Sequence, residues 1–156
     1  MSLRRMRAVV ALTAAVTLTA GLSACGGGED EGASKDEYKK QAQQISDKLE
    51  TDFQASLKNA TSKDPQESLT GVNQITSAAR EAADAMDGLE PPSEYEAVHG
   101  KLLGSLRTLV TRGEAVARAA EGDDVNALRQ SVTTFQQGIR DLDAVGNEFD
   151  RTVGTT

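Results

Sequence analysis

Tryptophan is absent from the 156-residue chain, tyrosine and phenylalanine number two and three, and cysteine and histidine occur once each. So few aromatic faces leave little on which a sugar or a nucleobase could stack, which argues against carbohydrate and nucleic-acid platforms. A single cysteine makes no intramolecular disulfide, so packing alone must hold the fold. A single histidine leaves a di-iron bundle without its second Glu-x-x-His motif, although Glu96-Ala97-Val98-His99 supplies one. Tetrahedral zinc is short of nitrogen and sulfur ligands for the same reason. No nucleophile–base–acid pattern surrounds His99, paired carboxylates such as Asp141 and Asp143 fit an exposed helix face, and phosphate-binding or dinucleotide-binding glycine motifs are missing. The chain reads as non-enzymatic. Proline occurs three times, twice at the adjacent positions Pro91 and Pro92, so long stretches run without a helix breaker.

What is present begins with an export signal. Arg4, Arg5 and Arg7 precede an apolar run from Ala8 to Ala20, too short to span a hydrocarbon core of about 30 Å comfortably. Arg7 interrupts the apolar stretch that a twin-arginine signal would place after Arg4-Arg5, so general secretion is expected. Small residues then lead to Leu22-Ser23-Ala24-Cys25. This tetrapeptide resembles the lipobox of bacterial lipoproteins. The resemblance implies cleavage before Cys25, diacylglyceryl transfer to its thiol, and a chain held at the extracytoplasmic face of the cell membrane by palmitate-type acyl groups rather than by a spanning helix. Each buried CH₂ contributes about 0.8 kcal/mol, so two or three chains anchor where one binds reversibly.

Cleavage would remove residues 1–24 and their three arginines but no acid, taking the net charge from −7 to −10. That acidity argues against nucleic acid and anionic lipid headgroups as partners. Residues 25–33, Cys25 followed by Gly26-Gly27-Gly28-Glu29-Asp30-Glu31-Gly32, have nothing to bury and are expected to form a flexible tether.

From residue 34 to 153 the apolar period is that of helices throughout. The first helix starts at Ser34, with Glu37 at capping-box spacing, and carries Tyr38, Ala42, Ile45, Leu49, Phe53, Leu57 and Ala60. The second is capped by Asp64 with Pro65 at its first turn, carries Leu69, Val72, Ile75, Ala79, Ala82 or Ala83, Met86 and Leu89, and stops by Gly88 and the proline pair. The third starts at Ser93, with Glu96 at capping-box spacing, and runs through Tyr95, His99, Leu102, Leu106, Leu109, Gly113 and Val116 to Gly122. The fourth is capped by Asp123, and Val125, Leu128, Val132, Phe135, Ile139, Leu142, Gly146, Phe149 and Val153 recur in strict three-four alternation. A sustained seven-residue repeat predicts coiled-coil-like packing at roughly +20°. Four such helices joined by short turns predict an all-α, antiparallel up-down four-helix bundle, with residues 154–156 as a disordered tail.

In that topology Tyr38, Met86, Tyr95, His99 and Phe149 fall at one end, beside the membrane, and are the candidate ligand pocket. Met86 and His99 could also hold haem or copper, a thioether with an imidazole. The competing expectation is that they fill core space and that the aromatics plug the end of the bundle. Seam glycines Gly113 and Gly146 allow either a close helix approach or a cavity. Leu89-Glu90-Pro91-Pro92 followed by His99 and a leucine-rich helix is similar to a pattern in small secreted helical proteins of high-GC Gram-positive bacteria, a largely uncharacterised group. The resemblance implies a fold and an address and no activity. The favoured function is a membrane-tethered binding or interaction module, with a haem or copper carrier and a structural spacer or envelope-stress factor as alternatives.

Overall fold

A computed structural model describes residues 34–155. Residues 1–33, where the export signal, Cys25 and the tether were expected, and Thr156 lie outside the described residues. Four helices follow in order, α1 (Lys35–Ala60), α2 (Pro65–Asp87), α3 (Glu96–Ala120) and α4 (Val125–Val153), with no strand among the described residues. None is long and apolar enough to cross a membrane.

Their ends follow local chemistry. The Ser34 hydroxyl accepts the Glu37 N–H at 3.3 Å, and Asp36 and Glu37 in the first turn and Lys58 in the last complement the helix dipole. The Asp64 carboxylate accepts the N–H groups of Gln66 and Glu67 at 2.8 and 3.1 Å, with Pro65 filling a position that needs no N–H.

Two expected starts are corrected. The third helix begins at Glu96, not Ser93, and its N-cap Tyr95 makes no side-chain capping bond. The Tyr95 N–H turns back to the Pro92 carbonyl at 2.8 Å instead, because the proline pair forces a turn before the helix and Tyr95 is drawn into the core. The fourth is capped by Asp124, not Asp123, whose carboxylate accepts the Asn126 and Ala127 N–H groups at 2.9 and 3.1 Å. Beyond Val153, where a loose tail was expected, Gly154 closes α4 in the left-handed region at φ 74°, and the Thr155 hydroxyl donates to the Asp150 carboxylate at 2.8 Å.

Each helix packs on its neighbour in the chain, α1 on α2, α2 on α3 and α3 on α4, whereas α1 and α4 barely meet. The first two contacts are close because glycine is there. A Cβ on Gly71 of α2 would sit 2.7 Å from the Asn59 carbonyl carbon of α1, and one on Gly113 of α3 would overlap Thr76 of α2. Ala78, Ala79, Ala82 and Ala83 keep α2 slim and buried between its neighbours. Ion pairs cross the outside, among them Lys48–Glu81 at 2.9 Å, Arg80–Glu114 at 2.7 Å and Lys101–Glu148 at 2.6 Å. Exposed as they are, such pairs contribute about 0–1 kcal/mol each, so the core carries the fold. The seven-residue repeat of α4 is not buried end to end: Val125 is 66% exposed, while Phe135, Leu142, Phe149 and Val153 are buried.

Candidate ligand groove

The five residues singled out in the sequence do come together, as packed core. Tyr38, Met86 and Phe149 are each 1% exposed, and Tyr95 and His99 are each 7% exposed. Tyr38 stacks on Tyr95 with ring centroids 5.7 Å apart and tilts against His99 at 5.9 Å. The Tyr38 hydroxyl and His99 Nδ1 share a hydrogen bond of 2.9 Å. Tyr38, Tyr95 and His99 pack against one another as a plug, the arrangement expected as the alternative to a pocket, whereas Met86 and Phe149 also border an open groove. Lys35 bonds Glu94 at 2.6 Å across the rim of the plug, and Lys39 lies 6.0 Å from the Tyr95 ring centre.

Burial sets the electrostatics of the plug. It raises the Tyr38 phenol to about 12, with Tyr95 adding to the effect. It lowers the His99 imidazole below its ordinary value, against a smaller opposing pull from Asp87. Tyr38 therefore stays a phenol, and the neutral form of His99 is favoured. Of the two ring nitrogens a metal could take, Nδ1 is engaged by Tyr38. Among the described residues no group of three or more His, Cys, Asp or Glu side chains gathers as a metal site.

The open space lies elsewhere, along the seam that α1 and α4 do not close. It is a groove of about 470 Å³, within the range of roughly 300–1,000 Å³ usual for ligand sites. Ile45, Leu49, Phe53 and Leu57 of α1 form one wall, and Ile139, Leu142, Gly146 and Phe149 of α4 the other. Ala82 and Met86 of α2 with Leu102 and Leu106 of α3 contribute the remaining apolar lining. Ile45 to Leu57 at a rise of 1.5 Å per residue makes the groove about 18 Å long. Leu57 is 41% exposed, an unusual position for a large apolar side chain on a helix with an apolar stripe. A Cβ on Gly146 would meet nothing within 4 Å, so of the two seam glycines Gly113 serves close approach and Gly146 leaves space.

The polar residues at the groove are Ser46, Glu50, Gln54, Asp143, Asn147 and Asp150, with no lysine or arginine among those that line it. Met86 and Phe149 are the only members of the sequence-derived set that touch it. Ile45, Leu49, Phe53, Leu57, Leu102, Leu106, Ile139 and Leu142 lie on the apolar stripes read from the sequence, and of the two seam glycines that allow a cavity Gly146 is the one at the groove. No protein family, curated protein or solved structure matches this chain.

Proposed function

We propose that this protein is a lipid-anchored, extracytoplasmic bacterial binding module without catalytic activity, tethered to the membrane through Cys25 and binding along the α1–α4 groove. The single observation that carries the binding role is an apolar groove left between two helices that are otherwise fully folded onto their neighbours. A bundle whose task was only to space or stiffen would gain from closing that seam, since each large side chain buried there contributes about 1.5–3 kcal/mol. The signal-like segment and the Leu22-Ser23-Ala24-Cys25 tetrapeptide support the anchor.

The antiparallel up-down order belongs to the same proposal. It is supported by cross-helix partners whose numbers rise on one helix as they fall on the next: Lys48 with Glu81 and Asn59 with Gln74, Arg107 with Asp87 and Arg80 with Glu114, Lys101 with Glu148 and Arg112 with Asp141. In that order the groove opens at the membrane-proximal end beside Met86 and Phe149 and runs toward the distal turns.

Native mass spectrometry after incubation with a bacterial envelope extract tests the binding role. A discrete adduct on the wild type that Gly146→Leu loses is the expected result. Equal adducts on both forms, or a bare mass for both, would contradict it.

A further inference from the structure

We propose that the α1–α4 groove receives one amphipathic helix of a partner protein, with basic residues flanking its apolar stripe. This rests on the binding role assigned to the groove above and names its occupant.

Shape is the first argument. The groove is open-sided, flanked by two helices and about 18 Å long, which corresponds to roughly three turns of helix at a pitch of 5.4 Å. Apolar side chains at positions i, i+3 or i+4 and i+7 of an incoming helix would lie along it, the helix-in-groove mode of recognition. Gly146 lets the guest approach α4 where any side chain would hold it off.

Charge is the second, and it selects among occupants. Glu50 on α1 faces the groove from one side, Asp143 and Asp150 on α4 from the other, and no cation lines it. Two cations near the groove, Lys48 and Arg140, are engaged elsewhere. Lys48 bonds Asp52 and Glu81 at 2.7 and 2.9 Å, toward α2, and Arg140 holds the Gln137 amide oxygen at 2.6 Å. A helix with lysine or arginine beside its apolar stripe completes this rim. A second copy cleaved before Cys25 would bring the same carboxylates and a net charge of −10 to meet them, and the carboxylate of a fatty acid would face the same repulsion.

The test uses the chain from Cys25 to Thr156 with Cys25→Ser, which contains every described helix and the whole core. Two fluorescently labelled peptides of about 14 residues, long enough to exceed the groove, carry leucine at helical spacing and either lysine or glutamate elsewhere. The lysine peptide binds saturably, at least about tenfold more tightly than the glutamate peptide, and weakens as salt shortens the Debye length from roughly 30 Å to 8 Å. Gly146→Leu lowers its affinity at least about tenfold while helix content is kept, because leucine fills the groove without entering the packed core. Glu50→Gln with Asp143→Asn weakens binding severalfold and flattens the salt dependence. Equal binding of the two peptides, or undiminished binding by Gly146→Leu, overturns the proposal. Saturable palmitate binding that Gly146→Leu abolishes and the lysine peptide cannot displace, or a dimer that Gly146→Leu dissolves, overturns it too. Either of those last outcomes would leave the groove as the binding surface, so the failure of the helix and the failure of the groove are told apart.

Discussion

Gly113 of α3 lies so close to Thr76 of α2 that a methyl group added to the glycine would occupy the threonine hydroxyl's place. Thr76 is itself buried, its hydroxyl donating to the Val72 carbonyl at 2.8 Å, and has no room to withdraw. Gly113→Ala should therefore cost about 1–3 kcal/mol through overpacking, despite alanine's better helix propensity. Gly71→Ala should do the same against the α1 backbone. At Gly146, where a Cβ meets only open space, alanine should stabilise by up to about 1 kcal/mol. Thermal or urea unfolding of the three variants checks the signs, and a destabilised Gly146→Ala would mean the groove is closed in solution.

The burial of Tyr38 and His99 makes the plug sensitive at both ends of the pH scale. Burial lowers the pKa of His99 in the fold, so the unfolded chain takes up a proton first as pH falls. Stability is then lost on acidification through the range below the unfolded value of about 6.5. Tyr38 is raised to about 12 in the fold, so the unfolded phenol ionises first, and stability is lost as pH rises from about 10 toward 12. Denaturation midpoints across pH should show both flanks. His99→Gln should remove the acidic one, at the cost of repacking the plug. Tyr38→Phe should remove the alkaline one and destabilise by about 1–3 kcal/mol, because it strands Nδ1 in the core.

At the start of α4 the sequence offers two neighbouring aspartates, and the structure chooses the second. Asp124→Ala should lower stability by about 1 kcal/mol, since two backbone N–H groups lose their acceptor, while Asp123→Ala should change little. Parallel melting curves of the two variants settle which residue caps the helix.

Anchoring predicts a change of address without a change of fold. Cys25→Ser should move the protein from the membrane fraction to the soluble one, and the wild-type N-terminal peptide should carry the added mass of acyl groups. A wild-type chain that partitions as soluble and shows an unmodified Cys25 would contradict the anchor.

Helix identity was legible because apolar residues recur at three and four, and because Ser34 and Asp64 with Pro65 are local capping signals that need no tertiary context. The start of α3 was not, since Ser93 and Glu96 form a valid local pattern that the Pro91–Pro92 turn and the burial of Tyr95 override. The plug residues were found by height along the bundle, but height cannot say whether large side chains enclose space or fill it. Tyr38, Tyr95 and His99 fill it. The groove escaped for a related reason. Periodicity shows that Ile45, Leu49 and Phe53 share a face, as do Ile139 and Leu142, but not that the two faces meet. Whether they meet depends on how deeply Gly71, Gly113 and the alanines draw α2 between α1 and α3, and on what Gly146 leaves out.

Isoleucine occurs only at positions 45, 75 and 139. Ile45 and Ile139 line the groove from α1 and α4, whereas Ile75 is fully buried in the core. An NMR spectrum of the protein labelled at isoleucine δ1-methyl groups therefore contains two groove reporters and one internal control. On titration with the lysine peptide or with palmitate, whichever binds, the Ile45 and Ile139 methyls should shift together and Ile75 should hold its position. Movement of Ile75 alone, or binding that leaves Ile45 and Ile139 in place, would contradict the assignment of the α1–α4 groove as the binding surface.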